Sequence, residues 1–561
     1  MDTLAASPFH AGELDIQARV GVDMTSSAGG IRDYMPAQHR EFFAELPFFF
    51  IGALDAAGQP WASVLAGDPG FLSTPDARTL HIAGGLLPGD PLEGQLHVGA
   101  HLGGLGLVPA TRRRNRVNGE IVAADEDGVR VAVSQSFGNC PQYIQHRQHS
   151  AAPAGERKVQ VLSSAALSAQ DRELIAQADT FFIASANLGA EAGRGRGVDV
   201  SHRGGRAGFV RIDDEHTLTS PEFVGNFFFN TLGNLAVYPR AGLLFIDFER
   251  GDLLHVAVEA EIIWEGEQLQ SFAGAERLLR FHVREVVRNV GALPFRWSTP
   301  QAASQVARTG NWTEADRAQD ASQVRGWRPY TVVDVVRESS NVRSFYLEPA
   351  DGLGVAPHVP GQHISLRTPQ WATDGAASQI RHYTLSDAPD GRRYRISVKR
   401  DGVVSAWLHA HLAPGAQIEL MGPGGDFTFE EGTQRPVVML SAGIGITPMI
   451  AMLNGLLVNG SRTRHRHPIY FIHGARNREE QAFGAHLQAL QAGHRNLAVH
   501  VHYSSEQGRM DADLLMSLLP LDDYDFYLCG PDGFMQAMRA GLRKLNVADE
   551  RIRYETFQLA A

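Results

Sequence analysis

The apolar, strand-length run Val437-Val438-Met439-Leu440 breaks at once into Ser441-Ala442-Gly443-Ile444-Gly445-Ile446-Thr447-Pro448. Taken alone, such a loop is as readily a plain strand–helix turn as a phosphate cradle. Gly443 and Gly445 permit a tight turn and close approach of backbone to a pyrophosphate. Pro448 suits the first turn of a following helix, whose N-terminal amides attract anions. Further apolar strands at Ile469–Ile472, Val499–Tyr503 and Phe526–Leu528 alternate with helical stretches. That alternation predicts a parallel α/β sheet.

The glycine loop belongs to an ordered series. Upstream lie Pro360-Gly361-Gln362-His363 and Arg381-His382-Tyr383-Thr384-Leu385-Ser386. Val398-Lys399-Arg400, Val404-Ser405-Ala406-Trp407-Leu408 and Gly422-Pro423-Gly424-Gly425-Asp426-Phe427 follow. Downstream, Cys529-Gly530-Pro531-Asp532-Gly533-Phe534-Met535 again follows a strand. Arg381 and Tyr383, two apart on an extended strand, point to one face. One can pair with a phosphate while the other lies against a flat ring.

On these motifs, and on Ile396-Ser397-Val398-Lys399-Arg400 with Val404 to His409, residues 326–561 resemble the ferredoxin-NADP reductase superfamily, most of all the reductase half of flavohaemoglobins. The resemblance implies an antiparallel β-barrel FAD domain over 326–432 and a doubly wound α/β NAD(P)-binding domain over 433–561. It places Arg381 on the FAD pyrophosphate, Tyr383 on the isoalloxazine and Thr384 near flavin N5. Ser386, Val404 and Ser405 join the cofactor-binding set, the last two at the phosphates. Gly443, Gly445, Thr447 and Pro448 form the dinucleotide loop, and Cys529, Gly530 and Pro531 border the nicotinamide. In the closing string Tyr554-Glu555-Thr556-Phe557, Phe557 is expected to cover the flavin, and Glu555 to join Thr384 and Cys529 in a hydrogen-bond set. Thr384, Cys529 and Glu555 are therefore the expected catalytic residues, with Cys529 positioning the nicotinamide rather than attacking it. Read from the residues alone, Cys529 is equally a small buried hydrophobe at a strand end. Arg476, Asn477, Arg478 and Glu479 do not distinguish NADH from NADPH.

The first 300 residues read as short strands in two similar sets. Phe48 to Ala53 has a second copy in Phe181 to Ala186. Gly104 to Val108 leading to Arg116–Ile121 has one in Gly242 to Ile246 leading to His255–Ile262. This order predicts a tandem duplication of one β-barrel unit. A helix is expected over Phe272–Asn289, and a polar linker or solvated helix over 298–325.

In Val198-Asp199-Val200-Ser201-His202-Arg203-Gly204-Gly205, Asn230-Thr231-Leu232-Gly233-Asn234-Leu235 and Thr111 to Gly119, residues 30–265 resemble the pyridoxamine 5'-phosphate oxidase-like, FMN-binding split-barrel superfamily. The resemblance implies tandem split barrels at 30–155 and 156–297, FMN as cofactor, and a phosphate site at Ser201, Arg203, Asn230 and Thr231. Split barrels of this kind dimerise, so two copies in one chain are expected to form a pseudo-dimer, and a homodimer is the other assembly implied. Where the oxidase has a Ser-Arg-Lys element, this chain offers the neutral Asn230 and Thr231. Related barrels bind haem or deazaflavin or nothing, and the sequence leaves these open. The run Arg112–Arg116 is either a phosphate site or a solvated strand end.

Composition narrows the rest. Two cysteines, Cys140 and Cys529, among 561 residues cannot build a disulfide framework, a four-cysteine zinc site or a cysteine-ligated iron–sulfur centre. No appended ferredoxin is therefore expected. Cys140 reads as a buried thiol in the turn Gly138-Asn139-Cys140-Pro141. The 23 histidines show no H-x-x-x-H or H-E-x-x-H ligand spacing on a convincing helix, so no metal site is expected. A net charge of -11 argues against nucleic-acid binding. Lysine occurs only at 158, 399 and 544, so arginine is the default cation. No signal-like N-terminus and no bilayer-length apolar run is present, and the cytoplasm is the expected compartment.

The reading that follows is an NAD(P)H-dependent flavin oxidoreductase. It passes hydride from a nicotinamide dinucleotide to FAD and electrons onward to a flavin or other acceptor at the split barrel. Two alternatives are a reductase for a diffusing redox partner with the split barrel as docking module, and a flavin- or haem-binding sensor.

Overall fold

A computed structural model describes residues 7–138, 141–152, 159–303, 305–369, 378–430, 433, 435–457 and 467–555. Cys140, Thr556 and Phe557 lie outside the described residues. The backbone divides into two compact units, Met1–Thr313 and Glu314–Ala561.

The first unit carries two sheets. One is built from β1 (Phe48–Leu54), β2 (Pro60–Ala66), β3 (Leu72–Asp76), β4 (Thr79–Ile82), β5 (His101–Val108), β6 (Arg113–Asp125) and β7 (Gly128–Gly138). Then come the short β8 (His149–Ala151) and β9 (Gln160–Ser164). The second sheet contains β10 (Thr180–Asn187), β11 (Gly197–Gly204), β12 (Arg211–Ile212), β13 (Thr217–Phe223), β14 (Arg240–Ile246), β15 (Leu253–Ile263) and β16 (Ala275–Val290); β17 (Phe295–Trp297) pairs with β8.

The two strand orders are β2-β1-β5-β6-β7-β4-β3 and β11-β10-β14-β15-β16-β13-β12, the same path walked twice, with β9 added beside β16. Register makes the correspondence residue-specific. Phe50 pairs with Val64 and Leu105, and Phe182 with His202 and Leu244. Phe50 and Phe182 stack on each other, ring centroids 3.7 Å apart at 15°. Such a pair adds about 0.5–1.5 kcal/mol beyond its area. A Cβ on Gly103 would overlap the carbonyl of Val198, and one on Gly242 would overlap that of Pro60. These reciprocal contacts are those of a two-fold interface, in which residue i meets the counterpart of its own partner. Register thus matches Gly242 with Gly103, one residue before the Gly104 that string similarity picks.

One expectation fails here. Residues 272–289 are not helical: β16 runs from Ala275 to Val290, flanked by β13 and β15. Its apolar residues Leu279, Phe281 and Val283 alternate, and β-branched Val283, Val286 and Val287 favour a pleated surface over a helix. Within the stretch expected to be a linker or a solvated helix, residues 312–323 take the helical alternative. They form a helix, Trp312–Gln323, with Trp312, Ala315, Ala318 and Ala321 buried.

In the second unit, β18 (Trp327–Arg337), β19 (Val342–Pro349), β20 (His363–Arg367), β21 (Ile380–Thr384), β22 (Tyr394–Lys399) and β23 (Gln417–Gly424) pair antiparallel in the order β21-β20-β23-β18-β19-β22. A bridge from Leu385 to Ile396 joins the two ends, so the sheet closes into a barrel. Its interior is filled by Val332, Phe345, Ile364, Leu366, Ile396 and Leu420.

The remaining strands, β24 (Val437–Ala442), β25 (Ile469–Ala475), β26 (Leu497–Tyr503), β27 (Asp525–Cys529) and β28 (Ile552–Glu555), are all parallel, in the order β26-β25-β24-β27-β28. The chain starts at the centre, winds outward to β26 and returns on the other side to β27. The direction of winding therefore reverses between β24 and β27, and ligands of such sheets bind outside the carboxyl ends of the strands at that point. Among the described residues no helix is long and apolar enough to cross a membrane.

Candidate functional site

At this switch point the glycine loop leaves β24. Gly443 has φ +56, in the left-handed region that glycine tolerates, and the helix Ile446–Leu457 starts immediately after a short turn over Gly443–Gly445. A Cβ on Gly445 would overlap the backbone of Cys529 and Gly530. Glycine at 445 is thus required by close packing of the loop against the end of β27. Thr447 is buried, and its hydroxyl donates to the Ile444 carbonyl at 3.0 Å, which leaves backbone amides to face a ligand. Pro531 caps the helix Asp532–Lys544 without offering a side-chain hydrogen bond.

Cys529 is fully buried, and burial pushes its thiol pKa well up, with the Glu555 charge adding to the effect. It is therefore a neutral thiol and not a nucleophile. Glu555 lies opposite it in the β27–β28 register. Burial raises the Glu555 carboxyl to about 6, and its Oε2 is buried without a hydrogen-bond partner among the described residues. The expected hydrogen-bond set of Thr384, Cys529 and Glu555 is not formed among them either. The unpaired Oε2 is an acceptor that a bound amide would satisfy, which fits a carboxamide-bearing nicotinamide.

On the barrel, Arg381 and Tyr383 share one face of β21, with Thr384 at its end. Among the described residues the Arg381 guanidinium reaches only the Ile380 carbonyl, at 2.8 Å, so no carboxylate there competes for it. Burial pushes the Tyr383 phenol up to about 12. Val404 and Ser405 open the helix Val403–His411; Val404 packs into the barrel core, and Ser405 Oγ accepts from the Asp401 amide at 2.8 Å. Ser386 is fully buried, and its hydroxyl lies 2.6 Å from Ser397 Oγ. That hydroxyl is spent inside the barrel because Leu385 turns the chain inward to bridge Ile396.

This geometry, a closed antiparallel barrel followed by a parallel dinucleotide sheet with a glycine loop at its switch point, defines a flavin- and nicotinamide-dependent reductase module. Residues 324–429 match the oxidoreductase FAD-binding domain family and residues 439–540 the oxidoreductase NAD-binding domain family. The flavohemoprotein of Chromobacterium violaceum is 41% identical over 252 residues, covering 41% of this chain and 61% of that protein. The flavohemoprotein of Bordetella pertussis is 37% identical over 273 residues, covering 46% and 63%. The FAD/NAD-binding domain of nitric oxide dioxygenase from Vibrio cholerae O1 biovar El Tor shows 38% identity, covers 41% of this chain and 98% of that one, and has a TM-score of 0.37. The chain thus spans about three-fifths of the length of these curated relatives. Its C-terminal part is a ferredoxin-reductase-type FAD- and NAD-binding module, similar to the reductase part of flavohaemoglobins.

A second site lies in the first unit. A cleft enclosing about 620 Å³, counting the part open to solvent, is lined by Arg114 and Arg116 of the first sheet, by Ser201, Arg203 and Arg277 of the second, and by Asn230 and Thr231 of the helix Asn230–Val237. The four expected phosphate-site residues therefore do meet. Their side chains are largely committed to one another, however. Arg116 donates to Asp199 and to Asn230 Oδ1, both at 3.0 Å, and to Ser201. Asn230 Nδ2 donates to Glu13, Thr231 to Ser201 at 3.1 Å, and Arg203 to Glu222 at 2.9 Å. Nε of Arg116 and of Arg277 are buried without an acceptor among the described residues, and the four arginines of the lining give an anion in the cleft cations to meet. His202, also on the wall, is held neutral by burial and by the neighbouring arginines.

Sequence reading misses Arg277, Asp199 and Glu13. Glu13 sits on the helix Ala11–Arg19, far in sequence from any motif. Burial and the Asp199 charge raise its carboxyl to about 8. The folded chain thus holds a proton that the unfolded chain releases above an ordinary carboxyl pKa, and the stability this gives is full below about pH 4.5. It declines as pH rises to about 8, at up to about 1.4 kcal/mol per pH unit. Thermal melts of Glu13→Gln are expected to lose this decline; a wild-type melting temperature flat from pH 5 to about 8 would remove Glu13 as its source.

Proposed function

We propose that this chain is an NAD(P)H-dependent flavin oxidoreductase that passes electrons from FAD in its C-terminal module to FMN held by the repeated sheets of its N-terminal half. The observation that carries the reading is the meeting of the Gly443–Gly445 loop with the Cys529–Pro531 turn at the switch point of the parallel sheet. FAD, when bound, would supply the acceptor for a hydride from the nicotinamide and release electrons singly or in pairs.

The chain's own residues have separable tasks. Arg381, which meets no carboxylate among the described residues, would neutralise pyrophosphate charge, and Tyr383 would offer its ring to the flavin. The amides at the start of the helix Ile446–Leu457 would hold the dinucleotide phosphates. Cys529 presents a small neutral wall, and Glu555 an unfilled acceptor, where a carboxamide must be oriented. Orientation at this point sets the hydride distance. In the N-terminal half, the arginine-lined cleft supports a phosphate-bearing flavin as the acceptor.

Acid extraction of the purified chain tests the cofactor assignment. FAD and FMN in equal amounts are expected; FAD without FMN removes the second flavin, and bound haem redirects the reading to a haem acceptor. Anaerobic stopped-flow with Cys529→Ala is expected to slow flavin reduction by about tenfold or more. An unchanged rate would take Cys529 out of the mechanism.

A further inference from the structure

The two-fold relation of the repeated sheets gives the strand residues Arg114, Arg116, Ser201 and Arg203 of the arginine-lined cleft counterparts. Leu105 pairs with Arg116 and Leu244 with His255, so His255 occupies the place of Arg116. By the same register Leu253 stands for Arg114, and Trp61, Ser63 and Leu65 stand for Asp199, Ser201 and Arg203. Guanidinium groups and their carboxylate are thus replaced by an imidazole, an indole and leucines.

The counterpart place is also filled. His255 Nδ1 lies 3.0 Å from the Ala62 carbonyl, and the imidazole is fully buried. Ser63 Oγ donates to the buried Asp90, and Asn289 donates to the Pro88 carbonyl at 3.0 Å. Asp90 and Leu92 come from residues 83–100, the connection between β4 and β5. Between β13 and β14 the corresponding connection forms the helix Asn230–Val237, whose first turn lines the cleft. Pro88 and Pro91, with Gly89 and Gly94 at positive φ, deny the first connection a helix, and it folds inward instead.

We infer that the N-terminal half retains one of two sites made equivalent by its repeat, and binds a single phosphate-bearing ligand per chain in the cleft between Arg116 and Arg203. The inference rests on the flavin reading above and adds its stoichiometry. The site is composite. Arg114 and Arg116 come from one repeat and Arg203 and Arg277 from the other, so neither repeat alone supplies it.

The test is a titration of the FAD-saturated full chain with FMN, with bound FMN counted after ultrafiltration and separated from FAD. One FMN per chain is expected. Inorganic phosphate should compete with it, and riboflavin, which lacks the phosphate, should bind at least about tenfold more weakly. Arg203→Met, at the partly exposed edge of the cleft, should weaken FMN by at least about tenfold. Ser63→Ala, at the filled counterpart, should leave both count and affinity within about twofold. Two FMN per chain overturns the single site and leaves the flavin reading standing. No bound FMN overturns the flavin reading, and the stoichiometry with it. The wild-type count decides the matter even where a variant fails to fold.

Discussion

Gly445→Val is expected to slow NAD(P)H-driven reduction of the FAD by about a hundredfold or more while the chain still carries FAD. The side chain would have to enter space held by the Cys529 carbonyl and the Gly530 amide. Those are backbone atoms at the end of a strand paired with β24 on one side and β28 on the other, and they cannot swing aside as a flexible side chain would. The loop and the β27 end must therefore part, and these are the two segments assigned to the dinucleotide. A displacement of about 1 Å at a reacting centre costs about a hundredfold in rate. Strand β21, proposed above to meet FAD, belongs to the barrel and does not contact the substituted glycine in the register of either sheet. Stopped-flow reduction, with flavin content measured on the same sample, checks the outcome. A rate within about threefold of wild type would show that the loop does not position the dinucleotide.

Asp199→Ala is expected to cost the N-terminal unit about 3–5 kcal/mol. Asp199 accepts from Arg116 at 3.0 Å, from Asn118 at 2.7 Å and from Asn234 at 3.1 Å, and is itself buried. Its loss leaves the Arg116 guanidinium in a desolvated place without its carboxylate. Removing both charges is a different perturbation, because a neutral pair carries no uncompensated charge. Asp199→Ala combined with Arg116→Met should accordingly be more stable than Asp199→Ala alone. Denaturant unfolding followed by tryptophan fluorescence reads both. A single variant within about 1 kcal/mol of wild type would mean that Arg116 finds another partner.

The reductase module is the more legible half because its chemistry is local in sequence. A strand, two glycines and a helix-start proline lie within a dozen residues, so their spacing carries their geometry. Tyr383 and Arg381 need only the two-residue period of a strand to share a face. Ser386 escapes this logic because continuing a motif string by similarity ignores where the chain turns, and at Leu385 it turns into the barrel. The Thr384, Cys529 and Glu555 set fails for a related reason. Opposition in register places Cys529 and Glu555 side by side without requiring a hydrogen bond.

In the N-terminal half the string similarities point to a repeat, while the stretch 272–289 misleads. Leu278, Leu279, Phe281, Val283 and Val287 satisfy both a helical stripe and an alternating one, and locally only the β-branched valines lean toward a strand. Strands on both sides settle it, since β13 and β15 supply hydrogen bonds that a helix there would forfeit.

By itself, the sequence determined where the glycine loop, the Arg381–Thr384 strand and the repeated strands lie, because periodicity and glycine spacing act within one segment of chain. Only the tertiary structure decided which polar residues are spent on each other and which stay open. Glu13, Arg116, Asp199 and Asn230 come from four distant segments, and their pairing depends on burial and on contacts that no spacing encodes. The same is true of the asymmetry between the two repeats. His255 and Arg116 are plain in the sequence, but that they hold equivalent places follows only once two sheets share an axis.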